Sequence, residues 1–184
     1  MEMRDKMPIE EIIALAKECG FDQVKDFDPS VLKFRVEVRD MCAANRCQSY
    51  DKNWSCPPAC ATLEDAALKA ASYKEGILVQ STGVLEDPFD LDTMMGTEQL
   101  QKDRFLKLVK EIRNIYPNCL PMATGACTIC STCTYPSKPC RFPKQMISSM
   151  EAYGLVVSDT CSDAGMKYYY GPGTITYTSC ILIR

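Results

Sequence analysis

The sequence predicts a single α/β domain, with α+β as the alternative, in which helices flank a mixed sheet of about four strands. Its 184 residues suit one domain, and its apolar share of 46% is sufficient for a hydrophobic core. Patterns typical of helices and of strands follow one another along the chain, as they do in layered α/β folds. We therefore treat residues 1–184 as one domain, with residues 1–30 as an N-terminal helical lead-in and two cysteine-rich loops at strand ends.

The N-terminal half predicts two helices and two strands, with a long loop between them. Apolar residues at helical spacing predict a helix from Pro8 to Gly20, with a proline at its start and a glycine at its end. Residues from Leu32 to Arg39 alternate between apolar and polar, which indicates a half-buried strand. Cys42 to Cys60 is a loop, because consecutive prolines interrupt it. Thr62 caps a helix that runs to about Tyr73, and Gly76 to Gly83 is a core strand.

The C-terminal half predicts three further helices and two further strands after a polar, irregular stretch at residues 84–96. Proline and glycine mark most of the ends of these elements. The helices span Thr97–Tyr116, the residues from Pro143 to about Tyr153, and Ser158–Ala164, and the strands span Cys119–Thr124 and Thr174–Ile183. Each of the two cysteine groups follows a predicted strand, so we expect both groups at ends of the sheet.

Composition and charge exclude several classes of function. A net charge of −3 and a pI near 5.1 argue against a nucleic-acid partner, since such proteins carry a basic face. No apolar run approaches the roughly 18 residues of a membrane span, and residues 1–7 lack the apolar core of a signal peptide. We therefore expect a cytoplasmic protein without a membrane partner. The absence of histidine excludes Rieske ligation, His-based zinc catalysis, and Ser-His or Cys-His dyads.

Eight of the 12 cysteines form two groups of four and are the candidate metal ligands. In a reducing cytosol, cysteines at this density indicate metal binding rather than disulfides. The first group is Cys42, Cys47, Cys56 and Cys60, and the second group is Cys127, Cys130, Cys133 and Cys140.

The second group has the spacing of a cubane iron–sulfur site. Cys127, Cys130 and Cys133 lie three residues apart, and three thiolates on one short turn can hold three irons while Cys140 supplies the fourth ligand. One zinc ion does not comfortably take three sulfurs from seven consecutive residues, whereas a cubane spreads its ligands over four corners. The spacing therefore predicts a [4Fe-4S] cluster, with a zinc site or buried structural thiols as the alternatives.

The first group is more loosely spaced and predicts a second [4Fe-4S] cluster held by a long loop. Trp54 and Tyr50 are expected to shield this cluster from water, and low solvent exposure is one of the properties that set a reduction potential. The alternatives are a zinc site, or a site at which only some of the four cysteines are ligands. Exchange of ligands between the two groups also stays open.

The other notable residues are interpreted mainly as structural. Cys19 and Cys180 are expected to be buried small apolar residues, and Cys161, between polar neighbours, is the remaining cysteine with the strongest claim to chemistry. Glu151 is interpreted as a solvated helical acid unless it faces the metal. Arg141, beside a ligand, either balances the charge of a cluster or is an ordinary surface arginine.

Four motifs are specific enough to suggest relatives. They are Trp54-Ser-Cys56-Pro-Pro, Gly125-Ala-Cys127, Lys138-Pro-Cys140-Arg-x-Pro143 and Ser149-Met-Glu-Ala-Tyr-Gly154, within a match from about residue 35 to the C-terminus. Their combination resembles a family described only as a predicted metal-binding protein, domain of unknown function 2284. The resemblance implies cysteine-bound metal, with iron–sulfur chemistry in anaerobic bacteria and archaea, and it implies that the eight cysteines of the two groups are the ligands. It implies no particular reaction.

Three functions are compatible with these residues. The leading hypothesis is a small redox protein that passes single electrons through two [4Fe-4S] clusters to or from a redox protein partner in anaerobic metabolism. The second is an enzyme in which a cluster iron with fewer than four protein ligands acts as a Lewis acid on a small substrate. The third is a structural zinc module for protein–protein contact. The sequence leaves open whether the chain is an enzyme and whether it forms a homodimer.

Overall fold

A computed structural model describes residues 7–184, which fold around one four-stranded sheet. The strands are β1 (Gln23–Phe27), β2 (Gly76–Val84), β3 (Leu120–Met122) and β4 (Thr174–Leu182), in the order β1-β2-β4-β3. The prediction of a sheet of about four strands with flanking helices is confirmed, and three of the four strands lie at predicted positions. All three strand pairings are antiparallel rather than mixed, as in the α+β class. Residues 1–6 of the predicted lead-in lie outside the described range, so the extent of the domain stays a prediction.

Within the described residues, five α-helices and two short 3-10 turns surround the sheet. The helices are α1 (Ile9–Glu18), α2 (Val36–Ala43), α3 (Leu63–Ala70), α4 (Leu91–Ile115) and α5 (Val157–Asp163), and the turns are Pro29–Val31 and Glu151–Tyr153. α1, α3, α4 and α5 confirm predicted helices. α4 begins six residues before the predicted start, because the Asp90 carboxylate accepts a hydrogen bond from Thr93 N at 3.0 Å and caps the helix. In the part of the chain that is described, none of these helices is long and apolar enough to span a bilayer.

Both faces of the sheet are buried, because alternate residues of β2 and β4 point into two separate cores. α1 and α4 cover one face, where the core includes Ile12, Ile77, Val79, Phe105, Ile112 and Ile181. The core of the other face includes Leu78, Met150, Leu155, Cys161, Cys180 and Leu182. Burial on both sides explains why β2 and the C-terminal half of β4 are nearly continuous runs of buried residues.

The strand predicted from Leu32 to Arg39 is wrong, because α2 occupies the second half of that segment. The prediction depended on the alternation of Phe34, Val36 and Val38, but Val36 is exposed and Val38 is buried. Phe34 and Val38 are four residues apart, so the same two apolar residues also fit one helical face. Phe34 makes an isolated bridge with Leu155. The first cysteine group therefore follows a helix and not a strand.

The helix predicted after Pro143 is also wrong, because residues 143–150 are irregular. Their backbone groups bond to the residue after β3: Ala123 N donates to Ser148 O at 2.9 Å, and Met150 N donates to Ala123 O at 3.0 Å. These bonds take the place of the intrahelical ones, and only the 3-10 turn Glu151–Tyr153 remains helical.

β1 was not predicted. It is a short edge strand paired with β2, and its residues are mostly exposed, so it lacks the apolar alternation that marks a half-buried strand.

Candidate metal centre

The four cysteines of the second group line one cavity, which we call the second-group cavity. β3 ends at Met122, and the chain then passes through Gly125, whose φ of 61° is left-handed, into the loop that carries the cysteines. The cavity has a volume of about 480 Å³, and its cysteines are Cys127, Cys130, Cys133 and Cys140. This volume lies in the range of small-molecule sites in proteins. The structure thus brings all four residues of this group to one space.

Side chains of the loop bind its own backbone and close it around the cavity. Arg141 Nη1 donates to Thr132 O at 2.8 Å, and Thr134 Oγ1 donates to Pro139 O at 2.9 Å. Because these bonds join the two ends of the loop, the early and late cysteines face the same space. Arg141 lines the cavity and remains exposed to solvent, which is the position of a counter-charge for a negatively charged site.

Three of the four first-group cysteines line another cavity, which we call the first-group cavity. It has a volume of about 500 Å³ and is lined by Cys42, Cys47, Cys56 and Glu151 among others. Cys60 does not line this cavity. Its thiol lies 3.8 Å from the carbonyl oxygen of Ala152. The structure therefore brings three predicted ligands of this group to one space together with a carboxylate.

The loop between Cys42 and Cys56 bends through three non-glycine residues in the left-handed region. The φ angles of Asn45, Gln48 and Asp51 are 54°, 59° and 54°. Asn and Asp tolerate this conformation because their side chains bond nearby backbone groups, and Tyr50 N donates to Asn45 Oδ1 at 3.1 Å. The sharp turns return the chain toward α2, so Cys47 and Cys56 reach the cavity that Cys42 lines.

The two cavities adjoin each other. Ser49 and Ala126 line both of them. Ser55, only 1% exposed, accepts a hydrogen bond from Cys127 N at 3.1 Å and directly precedes Cys56 in the chain. One buried serine therefore connects a cysteine of the first group with a cysteine of the second.

Trp54, which was expected to shield the first group, lines the second-group cavity. Its Nε1 donates to Lys138 O at 3.1 Å, and its ring meets the Tyr135 ring edge to face with centroids 4.9 Å apart. Tyr135 in turn donates from its hydroxyl to Asp51 Oδ1 at 2.6 Å. The loop of the first group therefore helps to enclose the site of the second.

The donor set of the second-group cavity consists of thiols. In residues 7–184, no three Cys, Asp or Glu side chains are grouped so that they could hold one metal ion. All four cysteines of the second group nevertheless line one cavity, and thiolates are soft ligands that suit iron–sulfur clusters as well as zinc. These cysteines are therefore suitable ligands for a thiolate-bound metal centre.

Comparison with known sequences identifies the family. The family described as a predicted metal-binding protein (DUF2284) matches residues 25–183, which is nearly the whole chain. The chain belongs to the DUF2284 family. The resemblance inferred from the cysteine motifs is confirmed, and the match begins about ten residues before the motifs suggested. No curated protein and no solved structure matches the chain. This DUF2284 chain is thus a cysteine-rich member of a predicted metal-binding family.

Burial opposes ionisation of several candidate thiols when no metal is bound. It is the largest cause that raises the pKa of Cys42, Cys56, Cys60 and Cys127 above the ordinary thiol value. The Glu151 carboxylate raises the pKa of Cys42 further, and the Arg39 guanidinium opposes the rise at Cys60. Because a metal binds thiolates, metal uptake by these cysteines releases protons.

Arg39 is a site residue that the sequence interpretation missed. Its guanidinium lowers the pKa of both Cys42 and Cys60, against the larger effect of burial. Within the described residues its Nε is buried without a hydrogen-bond partner, although Nη2 donates to Ala61 O. Arg39 precedes Cys42 by three residues on α2, so the two share one helical face. The sequence analysis missed this helical spacing because it predicted a strand from Leu32 to Arg39.

The four cysteines outside the two groups are all buried. Cys19 and Cys180 pack in the two cores, which confirms their predicted role as small apolar residues. Cys161 is fully buried, and its Sγ accepts a hydrogen bond from Gln80 Nε2 at 3.6 Å. These residues lie away from solvent and are interpreted as part of the core.

Proposed function

We propose that this DUF2284 protein binds two [4Fe-4S] clusters, one in each cysteine cavity. In this proposal it passes single electrons to or from a redox protein partner in the cytoplasm of an anaerobic organism. The second-group cavity carries the proposal, because all four cysteines of this group line one space of about 480 Å³. A cubane takes one thiolate at each of its four irons, so four cysteines around one cavity match its ligand number.

The distribution of charge supports a negatively charged group at the second site. The chain carries a net charge of −3, yet it has no Asp or Glu between Glu111 and Glu151. Lys138 and Lys144 lie in this acid-free segment, are exposed, and belong to the loop that bears the cysteines. Nearby cations favour thiolates over thiols, and they favour a cluster that gains negative charge on reduction.

The common wall of the two cavities supports electron transfer between the sites. Ser49 and Ala126 line both cavities, and Ser55 connects Cys56 through the chain with Cys127 through a hydrogen bond. Two clusters in these cavities would be separated by one layer of protein. Such an arrangement suits a protein that accepts an electron at one site and releases it from the other.

The charge of the loop also indicates the kind of partner. Lys52 and Arg141 line the second-group cavity and are exposed, and they continue the positive charge of the loop to its rim. A redox protein with an acidic patch around its own cofactor complements this surface, and attraction of this type accelerates association at low salt. We therefore propose an acidic protein as the partner.

Metal and sulfide analysis of anaerobically purified protein tests this function. We expect about eight irons and eight acid-labile sulfides per chain, with an EPR signal after reduction by dithionite. Cys130→Ser should lose about half of the iron, whereas the matched variant Cys119→Ser, at a buried cysteine outside both groups, should keep all of it. Zinc without sulfide would establish a structural zinc module instead. Clusters that dithionite fails to reduce would contradict electron transfer.

A further inference from the structure

The two cysteine cavities differ in their ligands, and the difference suggests different roles. Four cysteines line the second-group cavity, whereas three cysteines and Glu151 line the first-group cavity. We propose that the cluster of the first site is held by Cys42, Cys47 and Cys56, and that Glu151 occupies its fourth corner as an exchangeable ligand. This corner then binds a small organic anion. The inference rests on the proposed function, because it assumes a cluster at each site.

The surroundings of Cys60 argue that it is not the fourth ligand. The first-group cavity is lined by Cys42, Cys47 and Cys56, and Cys60 does not line it. The Cys60 thiol lies 3.8 Å from the carbonyl oxygen of Ala152. The other three cysteines therefore face the cavity without Cys60.

Glu151 is placed to complete the site. It stands in the 3-10 turn Glu151–Tyr153, where Cys42 Sγ lies 4.0 Å from its backbone carbonyl oxygen. Glu151 also lines the first-group cavity, together with Cys42, Cys47 and Cys56. A carboxylate is a harder ligand than a thiolate and binds the irons of a cluster less firmly. An iron held by Glu151 is therefore the one that exchanges its ligand.

The rest of the lining indicates the chemical class of the ligand. Val38, Met41 and Pro57 supply apolar walls, and the exposed Arg46 supplies a positive charge. A small molecule with a negatively charged head and a short carbon chain matches these surfaces: the head reaches the open corner and the chain packs on the apolar walls. The cavity volume of about 500 Å³ leaves room for such a molecule beside a cluster of eight atoms, since even at a water's share of about 30 Å³ each those atoms fill roughly half of it.

Iron counting on reconstituted variants tests the ligand assignment. Full-length protein, Cys60→Ala, Cys56→Ala and the control Cys19→Ala are loaded anaerobically with iron and sulfide. We expect Cys60→Ala and Cys19→Ala to retain the wild-type content, and Cys56→Ala to lose about half. If Cys60→Ala loses as much iron as Cys56→Ala, Cys60 is a ligand and the inference is overturned. Circular dichroism confirms that each variant is folded before loading.

Mild oxidation tests the fourth corner. With ferricyanide, the wild-type protein should lose about one iron per chain and develop a new EPR signal, because the carboxylate-bound iron leaves first. Glu151→Cys should retain that iron, since a fourth thiolate replaces the weak ligand, and Glu151→Ala should lose it faster. Cyanide, used as a small anionic probe, should change the EPR spectrum of reduced wild-type protein and leave that of Glu151→Cys unchanged.

The outcomes separate this inference from the function on which it rests. If wild-type protein carries two clusters, loses no iron on oxidation and shows no spectral change with cyanide, the proposal of an exchangeable fourth ligand is overturned. The electron-transfer proposal is then unaffected. Wild-type protein that takes up zinc alone overturns both. Equal iron loss by wild-type protein and Glu151→Cys overturns the assignment of Glu151.

Discussion

Replacing Ser55 by alanine tests whether one buried hydroxyl holds the two cysteine loops together. Ser55 Oγ accepts from Cys127 N at 3.1 Å and donates to Asn53 Oδ1 at 2.6 Å, at a position only 1% exposed. Each such hydrogen bond contributes about 0.5–1.5 kcal/mol net, and Cys127 N–H loses its partner in the variant. We therefore expect Ser55→Ala to lower the free energy of unfolding of the metal-free protein by about 2 kcal/mol.

The same bond should also affect metal retention, because it holds the backbone of Cys127 in place. Loss of residues that support metal ligands weakens metal binding by about 10–100-fold, and we expect Ser55→Ala to weaken the retention of iron within this range. Urea denaturation measures the first quantity, and the rate of iron loss to a chelator measures the second. Ser162→Ala, at an exposed serine of α5, is the matched control. If Ser55→Ala matches this control within about 0.5 kcal/mol, the loop-to-loop bond contributes nothing and the reasoning is wrong.

Three further predictions concern the stability of the metal-free protein. Gly154→Ala should cost about 3 kcal/mol in thermal or urea unfolding, because φ is 80° and the new Cβ would lie 2.3 Å from Leu63 Cδ2. Gly165→Ala, with φ of 69° and no described atom within 4 Å of the new Cβ, should cost only about 1 kcal/mol, and equal costs would contradict the clash. Phe105→Ala should cost about 3–5 kcal/mol in urea, since its side chain is 1% exposed in the core; a cost under about 1 kcal/mol would refute that packing. Burial raises the pKa of Cys180 far above that of an unfolded thiol, so the unfolded chain loses this proton first and stability should fall as pH rises beyond about 8.5. Urea curves at pH 7 and pH 10 under reducing conditions measure the fall, and a Cys180→Ala variant with an undiminished slope would refute this cause.

The sequence correctly predicted the helices and strands whose buried side chains follow a regular helical or strand pattern. α1, α3, β2 and β4 follow directly from apolar periodicity and from end signals, because their buried residues contact the sheet or form it. The segment Leu32–Arg39 was predicted wrongly because Phe34, Val36 and Val38 alternate as in a strand, while Phe34 and Val38 alone, four residues apart, also fit one helical face. Residues 143–150 were misjudged because their carbonyl and amide groups bond to Ala123, which is remote in sequence.

For the candidate site as well, the sequence predicted features that depend on local spacing and missed those that depend on contacts between distant residues. Spacing alone grouped Cys127, Cys130 and Cys133, and the structure places them on one cavity with the fourth cysteine of their group. Spacing could not show that Cys60 does not line the first-group cavity, because the position of its thiol depends on neighbours such as Ala152 that are far away in the chain. The role of Ser55 was likewise invisible, since its partner Cys127 N lies in the other loop. That all eight cysteines are ligands stays a prediction.

The position of β4 has a consequence for biosynthesis. β4 is the last of the four strands to be translated, yet it lies between β2 and β3 and pairs with both. While the ribosome is still making the chain before Thr174, β3 therefore has no neighbour, although all eight grouped cysteines have already been made. The sheet from which the second-group loop extends is therefore completed only after the final strand has been translated.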